Sequence, residues 1–193
     1  AQKQRIDNSQ KTGTGFPNDL VKTMNAATTI TNAGSTRNEW SMLSYLARAT
    51  YSYKGKYLAT GAIRADGMSR FGANNRWGYF PSGSVAWRMS EEDFMKEISW
   101  LDNLKLRFSY GQTGNNQISN YAAIGLLDYS NYPFDNKLVK GMYSKNFADN
   151  NLKWEKTGQY NIGFYASFFG NRLNVTYDYY YSKTKDLLLN VPI

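Results

Sequence analysis

Three consecutive acidic residues, Glu91, Glu92 and Asp93, form the densest group of side chains in this sequence that could perform chemistry. Two carboxyl groups held close together can act as general acid and general base. The same residues follow Ser90 with the spacing of a helix-capping box, and acidic side chains stabilise the start of a helix. We therefore predict that they begin a short helix in a connection, and we predict no catalytic residue.

Histidine and cysteine are absent from all 193 residues. Their absence excludes a Ser-His-Asp triad, a cysteine nucleophile, and any metal site built from imidazole or thiolate ligands. Disulfide bonds are excluded as well. These exclusions disfavour an enzyme, and we expect no metal and no cofactor.

Amide, basic and aromatic side chains meet in a glycine-rich stretch, residues 65–79, which we interpret as a long loop. Such side chains can bind sugars or peptides by stacking and hydrogen bonding. The candidate substrate-binding residues are Asn74, Asn75, Arg76, Trp77 and Tyr79. The alternative for these residues is loop packing, with the aromatic rings lying at a membrane interface.

The formal net charge of +8 raises the possibility of a nucleic-acid partner. The Lys and Arg residues are scattered along the chain, however, and no helix-turn-helix, zinc or RNA-recognition pattern accompanies them. We therefore predict that nucleic acid is not a partner.

From Trp40 onward, apolar and polar residues alternate in runs that predict about six β-strands. The clearest run places Leu104, Leu106, Phe108 and Tyr110 on one face and Lys105, Arg107, Ser109 and Gly111 on the other. Short glycine turns at 54–56 and 170–171 alternate with long loops at 65–79 and 112–151. We interpret residues 1–39 as an extracellular loop region with one short helix between Phe16 and Ala27.

Strand length and aromatic placement distinguish between two all-β folds. The segments 42–53 and 156–169 exceed the five or six residues usual in globular proteins. Several aromatic residues lie near predicted strand ends, as in an interfacial girdle: Tyr53, Tyr57, Trp77, Tyr79 and Trp100. We predict an antiparallel transmembrane β-barrel with long extracellular loops, short periplasmic turns and one short helix in a periplasmic connection. The alternative is a soluble, secreted β-sandwich that binds carbohydrate.

Blocks spread over residues 40–190 resemble the SusC/RagA-type TonB-dependent outer-membrane transporters of Bacteroidetes, in the order found in that family. They include residues 55–58 (GKYL), 64–72 (RADGMSRFG), 75–82 (NRWGYFPS), 104–116 (LKLRFSYGQTGNN) and 151–157 (NLKWEKT).

The resemblance implies a barrel of about 22 strands around an N-terminal plug, located in the bacterial outer membrane and powered through TonB. It also implies a SusD-like surface lipoprotein as partner, a glycan or peptide as substrate, and contact with outer-membrane lipids. The signal peptide, plug and final strands of that family are not found in this sequence. We therefore expect residues 40–193 to form a barrel segment of a transporter that imports oligosaccharides or peptides.

Overall fold

A computed structural model describes residues 1–21 and 23–189, which leaves position 22 of the predicted N-terminal helix and the last four residues of the predicted barrel region outside the description. The strands are β1 (Gln2–Thr14), β2 (Thr29–Tyr53), β3 (Tyr57–Met68), β4 (Trp77–Arg88), β5 (Leu101–Asn115), β6 (Leu127–Phe134), β7 (Lys137–Ser144), β8 (Glu155–Phe168) and β9 (Leu173–Lys185). Three 3₁₀ turns span Met24–Ala26, Met89–Glu91 and Asp93–Met95. Among the described residues, no helix is long and apolar enough to cross a membrane.

Seven strands form one antiparallel sheet in the order β1-β2-β3-β4-β5-β8-β9, and β6 pairs only with β7. Successive strands of the large sheet are neighbours, apart from the β6–β7 hairpin inserted between β5 and β8. The connections 54–56, 89–100 and 169–172 meet at one end of the sheet, the turn end. The connections 69–76 and 116–154 meet at the other, the loop end, and the β1–β2 hairpin extends beyond this end to the connection 15–28.

The register gives the sheet two chemically different faces. Tyr51 pairs with Ala59, Ala59 with Val85, Val85 with Phe108, and Phe108 with Ile162. Paired residues share a face, and side chains alternate along each strand. The odd-numbered residues of β2, β3, β4 and β9 and the even-numbered residues of β5 and β8 therefore form the apolar face. The remaining residues form the polar face.

The apolar face has no second sheet packed against it within the described part of the chain. Large side chains on this face stay exposed, including Tyr45 (60%), Val85 (55%) and Ile162 (57%). A β-sandwich would bury this face against a second sheet, whereas a membrane barrel presents it to lipid. The predicted all-β antiparallel fold is confirmed, and the sandwich is not what the strands form.

Residues 1–39 do not form the irregular loop region that we predicted. Residues 2–12 of β1 pair with residues 32–42 of β2, and the predicted helix is reduced to the turn Met24–Ala26. Both faces of this hairpin are polar, so its sequence lacks the alternation that reveals a half-buried strand. The extracellular location of these residues stays a prediction.

Both predicted long loops are shorter than expected, because the strands extend into them. β3 continues to Met68 and β4 begins at Trp77, which leaves a loop at 69–76. Within 112–151, β5 continues to Asn115 and the β6–β7 hairpin occupies much of the remainder. Its tight turn uses Asp135 and Asn136, both with positive φ, as a two-residue hairpin turn requires. Glycine and asparagine content alone therefore made both predicted loops too long.

Candidate functional site

The apolar face carries a band of constant length on several strands, and aromatic residues flank the band. It runs from Tyr45 to Tyr53 on β2, from Tyr79 to Trp87 on β4 and from Tyr160 to Phe168 on β8. Each of these stretches contains nine residues. A tilted transmembrane β-strand needs about 9–11 residues to cross the membrane. The length of the band matches that requirement.

The polar face carries a cavity of about 520 Å³. Hydroxyl and amide side chains contributed by β3, β4, β5 and β8 dominate its lining, and Arg48 is the charged residue among them. The polar lining residues are Arg48, Thr60, Ser82, Ser84, Ser109, Thr113, Thr157, Gln159 and Asn161. Such groups donate and accept hydrogen bonds without a strong charge preference. This surface suits water, peptide backbone or sugar hydroxyls.

An ion pair on the polar face bridges two strands that are not neighbours. Arg107 on β5 contacts Asp178 on β9 at 2.5 Å, and both pair in register with Gly163 of the intervening strand β8. A Cβ atom at Gly163 would lie 2.4 Å from Oδ1 of Asp178 and 2.6 Å from the Tyr177 carbonyl oxygen. Glycine at 163 thus provides the space through which the two charges meet.

At the loop end, a small buried core fastens the loops to the polar face. Phe71, from loop 69–76, stacks on Trp154 with ring centroids 4.6 Å apart, and Phe80 meets Trp154 edge-on at 5.4 Å. Met68 completes the buried cluster. The Trp154 indole donates a hydrogen bond to the Arg76 carbonyl oxygen at 3.2 Å. We call Met68, Phe71, Phe80 and Trp154 the loop-end core.

Two of the predicted ligand-binding residues use their side chains to hold two loops together. The Asn74 amide donates to Oδ1 of Asn151 at 3.0 Å, and the Asn75 amide donates to the Asn151 carbonyl oxygen at 3.0 Å. Arg76 is exposed, although its carbonyl oxygen accepts hydrogen bonds from the Trp154 indole and the Met68 backbone. These three residues therefore lie together on the loop that covers the loop-end core.

The other two predicted ligand-binding residues lie elsewhere. Tyr79 pairs with Ala65, and Ala65 pairs with Tyr45, so Tyr79 belongs to the apolar face. Trp77 belongs to the same face, and its ring stacks on Tyr45 with centroids 6.0 Å apart. The five residues are thus divided between a loop and the aromatic edge of the apolar face.

The acidic group at 91–93 has a tertiary role that its sequence does not reveal. The 3₁₀ turns Met89–Glu91 and Asp93–Met95 both lack a side-chain cap hydrogen bond, so the predicted capping role is wrong. Instead, Glu92 accepts hydrogen bonds from the Tyr57 hydroxyl at 2.6 Å, the Lys56 ammonium at 2.9 Å and the Trp87 indole at 3.1 Å. Those contacts, the Tyr57 hydroxyl foremost, hold the pKa of Glu92 at about 2.

Alternation of residues along the strands predicted the polar face, but the sequence did not reveal the roles of Trp154 and Glu92. Trp154 lies just before β8 in a stretch without periodicity, and its partner Phe71 is 83 positions away. Glu92 binds partners on β3 and β4 that only the fold brings near. Within residues 1–21 and 23–189, no group of three or more acidic side chains could hold a metal ion.

Comparisons with known proteins agree with this geometry. The family model described as TonB dependent receptor-like, beta-barrel, matches residues 3–193. TonB-dependent receptor P39 of Formosa agariphila is 42% identical over 180 residues, which cover 92% of this chain and 17% of that protein. TonB-dependent receptor SusC of Bacteroides thetaiotaomicron is 40% identical over 166 residues, which cover 83% of this chain and 16% of that protein.

A solved structure of the RagAB peptide transporter superimposes with a TM-score of 0.85 at 31% identity, covering 99% of this chain and 21% of the matched one. The chain therefore spans about a fifth or less of the relatives that it matches. These relatives are receptors and transporters rather than enzymes, and the resemblance to SusC/RagA-type proteins is confirmed. The chain belongs to the TonB-dependent receptor β-barrel family, and its seven-stranded sheet is a stretch of that family's barrel wall.

Proposed function

We propose that the whole protein is a transporter of the bacterial outer membrane that imports oligosaccharides or peptides. In this proposal a SusD-like surface lipoprotein captures the substrate outside the cell. TonB supplies energy through parts of the protein beyond this chain. The wall described above separates lipid from the transport path and performs no bond-breaking chemistry.

The observation that carries the proposal is the pair of opposite faces on one sheet. One face presents an apolar band nine residues long with aromatic residues at its edges, which is about the length of a tilted transmembrane strand. The other face presents the hydroxyl- and amide-lined cavity. A sheet with lipid on one side and an aqueous lumen on the other has this pattern.

The chemistry of the polar face supports both substrate classes. Hydroxyl and amide groups such as Ser84, Gln159 and Asn161 can hydrogen-bond sugar hydroxyls or peptide amides, and Arg48 contributes one positive charge. Similarity to the RagAB peptide transporter supports the peptide class. Both oligosaccharides and peptides therefore belong in the test.

Direct substrate contact by loop 69–76 is part of the proposal. Arg76 is the best candidate, because the side-chain amides of Asn74 and Asn75 already donate hydrogen bonds to Asn151. We assign Trp77 and Tyr79 chiefly to the membrane interface, since they lie on the apolar face. Arg76→Ala should weaken substrate binding to the purified whole protein, whereas Arg172→Ala, an exposed arginine at the turn end, should not.

Uptake by living cells tests the transport proposal. Cells lacking the gene should lose import of labelled oligosaccharides or labelled oligopeptides, and the intact gene should restore it. Import should also fail when TonB or the SusD-like surface lipoprotein is deleted. Asn161→Leu on the polar face should slow import more than Ile162→Leu on the apolar face. Unchanged import of both substrate classes in the deletion strain would refute the proposal.

A further inference from the structure

A groove of about 380 Å³ crosses the apolar face near the turn end. It arises from an uneven row of side chains, in which small Ala59 and mid-sized Val85 lie between large Tyr51 and Phe108. The groove therefore runs across the strands, from Tyr51 on β2 to Ile162 on β8.

The turn-end wall of the groove is fixed in place. Tyr57 and Trp87 stack with ring centroids 6.4 Å apart and an interplanar angle of 10°. Both rings donate a hydrogen bond to the same carboxylate oxygen of Glu92, whose charge Lys56 balances at 2.9 Å. A wall held at its polar rim keeps its shape without a packed protein neighbour, so the groove is preformed.

The charges around the rim are complementary to an anion. Lys56 pairs with Glu92, and Arg88 pairs with Glu91 at 3.3 Å. Lys54 forms no ion pair within the described residues, and its ammonium lies over the Tyr53 ring at 5.4 Å from the centroid. Tyr53 stacks on Tyr57, a groove-lining residue, with ring centroids 6.4 Å apart, so the Lys54 cation lies next to the turn-end edge of the groove. An apolar groove beside a cation is the arrangement that a phospholipid needs.

We propose that the groove binds one acyl chain of a glycerophospholipid from the periplasmic leaflet, with the lipid phosphate beside Lys54. The choice of leaflet rests on the proposed function, because it requires the turn end to face the periplasm. The groove is continuous with the apolar band and is bordered by aromatic rings and a cation, so its occupant is a lipid rather than a protein. Such a lipid would stay with the barrel longer than its neighbours in the bilayer.

Photo-crosslinking of the full-length protein in phosphatidylethanolamine nanodiscs tests the site. A trace of phosphatidylethanolamine with a diazirine in its acyl chain should label the β4 and β5 segments around Val85 and Phe108 above the rest of the apolar face. Ala59→Trp fills the groove and should reduce that labelling to the level of the surrounding face. Ala47→Trp, on the same face outside the groove, should leave it unchanged.

A second crosslinking experiment tests the contribution of the lipid head group separately from that of the acyl chain. Lys54→Gln should lower capture of the phospholipid probe about fivefold, the effect of one cation near a phosphate. Capture of a diacylglycerol probe with the same chains should not change. Labelling spread evenly over the apolar face, or labelling unaffected by Ala59→Trp in a barrel whose heat-shifted gel mobility shows it folded, would overturn the lipid site.

Failure of the lipid site and failure of the proposed transport function give different results. Import measured in cells expressing the wild-type protein tests transport and does not depend on the groove. Lost crosslinking with normal import would reject only the lipid site. Normal crosslinking without import would reject only the transporter.

Discussion

Removing the Phe71 ring should release loop 69–76 from the barrel wall. Phe71 is 1% exposed and stacks on Trp154, so Phe71→Ala leaves a cavity in the loop-end core. Truncation of a buried phenylalanine costs about 3–5 kcal/mol. Since 1.4 kcal/mol corresponds to a factor of ten, local opening should become roughly 100- to 4,000-fold more frequent.

Amide hydrogen exchange in the full-length barrel measures that opening. The Gly72 amide donates to the Leu152 carbonyl at 3.1 Å and the Asn74 amide to the Asn150 carbonyl at 3.3 Å, so both report on the attachment of the loop. Their exchange should accelerate by the factor given above. Phe147→Ala is the matched control, because Phe147 is 72% exposed and its truncation should change exchange by about twofold or less. Unchanged Gly72 and Asn74 exchange in a folded Phe71→Ala barrel would refute the role assigned to the loop-end core.

Three further predictions concern the polar contacts of the wall. Gly163→Ala should destabilise the barrel by about 1–3 kcal/mol in urea unfolding, because its methyl group would collide with Asp178, whereas Gly61→Ala has open space and should be tolerated. The pKa of Glu92 is lowered from 4.5 to about 2, so its ionised form stabilises the fold above pH 4.5. That stabilisation should disappear as the pH falls toward 2. Glu92→Gln should abolish this part of the acid-induced unfolding transition, which can be followed by tryptophan fluorescence. Trp154→Phe removes a buried indole hydrogen bond worth about 0.5–1.5 kcal/mol and also leaves a cavity in the loop-end core, so the loss of stability in the same urea experiment should exceed that range.

The two faces of the sheet could be predicted from sequence because lipid and water impose opposite demands on alternate residues. The run from Leu104 to Tyr110 shows this directly, and its residues lie on the faces that its alternation indicates. Where both faces meet water, as in the β1–β2 hairpin, the alternation disappears and the strands were taken for a loop. The β6–β7 hairpin was missed for another reason, since its stretch is rich in Gly, Asn, Tyr and Asp and was interpreted as one long connection.

At the candidate site, contacts between residues that are far apart in the chain could not be predicted from sequence. Ser90 and the three acidic residues after it satisfy the spacing of a capping box, yet Glu92 binds a tyrosine 35 positions earlier in the chain. Local spacing cannot reveal that partner, because the register between β3 and β4 brings Tyr57 and Trp87 together. Similarly, Gly163 matters only because β8 separates Arg107 from Asp178.

The side-chain clusters at the two ends of the sheet have different structural roles. At the turn end, Glu92 fixes aromatic rings on the apolar face, and at the loop end Phe71 and Trp154 fix loops over the polar face. Between these clusters the strands are joined by backbone pairing and by the Arg107–Asp178 ion pair, for which Gly163 leaves space. In the proposed transporter, changes to the hydroxyl and amide side chains that line the cavity should therefore alter what passes along the wall without loosening either end. Under that proposal, substrates diversify through the cavity lining while the register and the apolar band are kept.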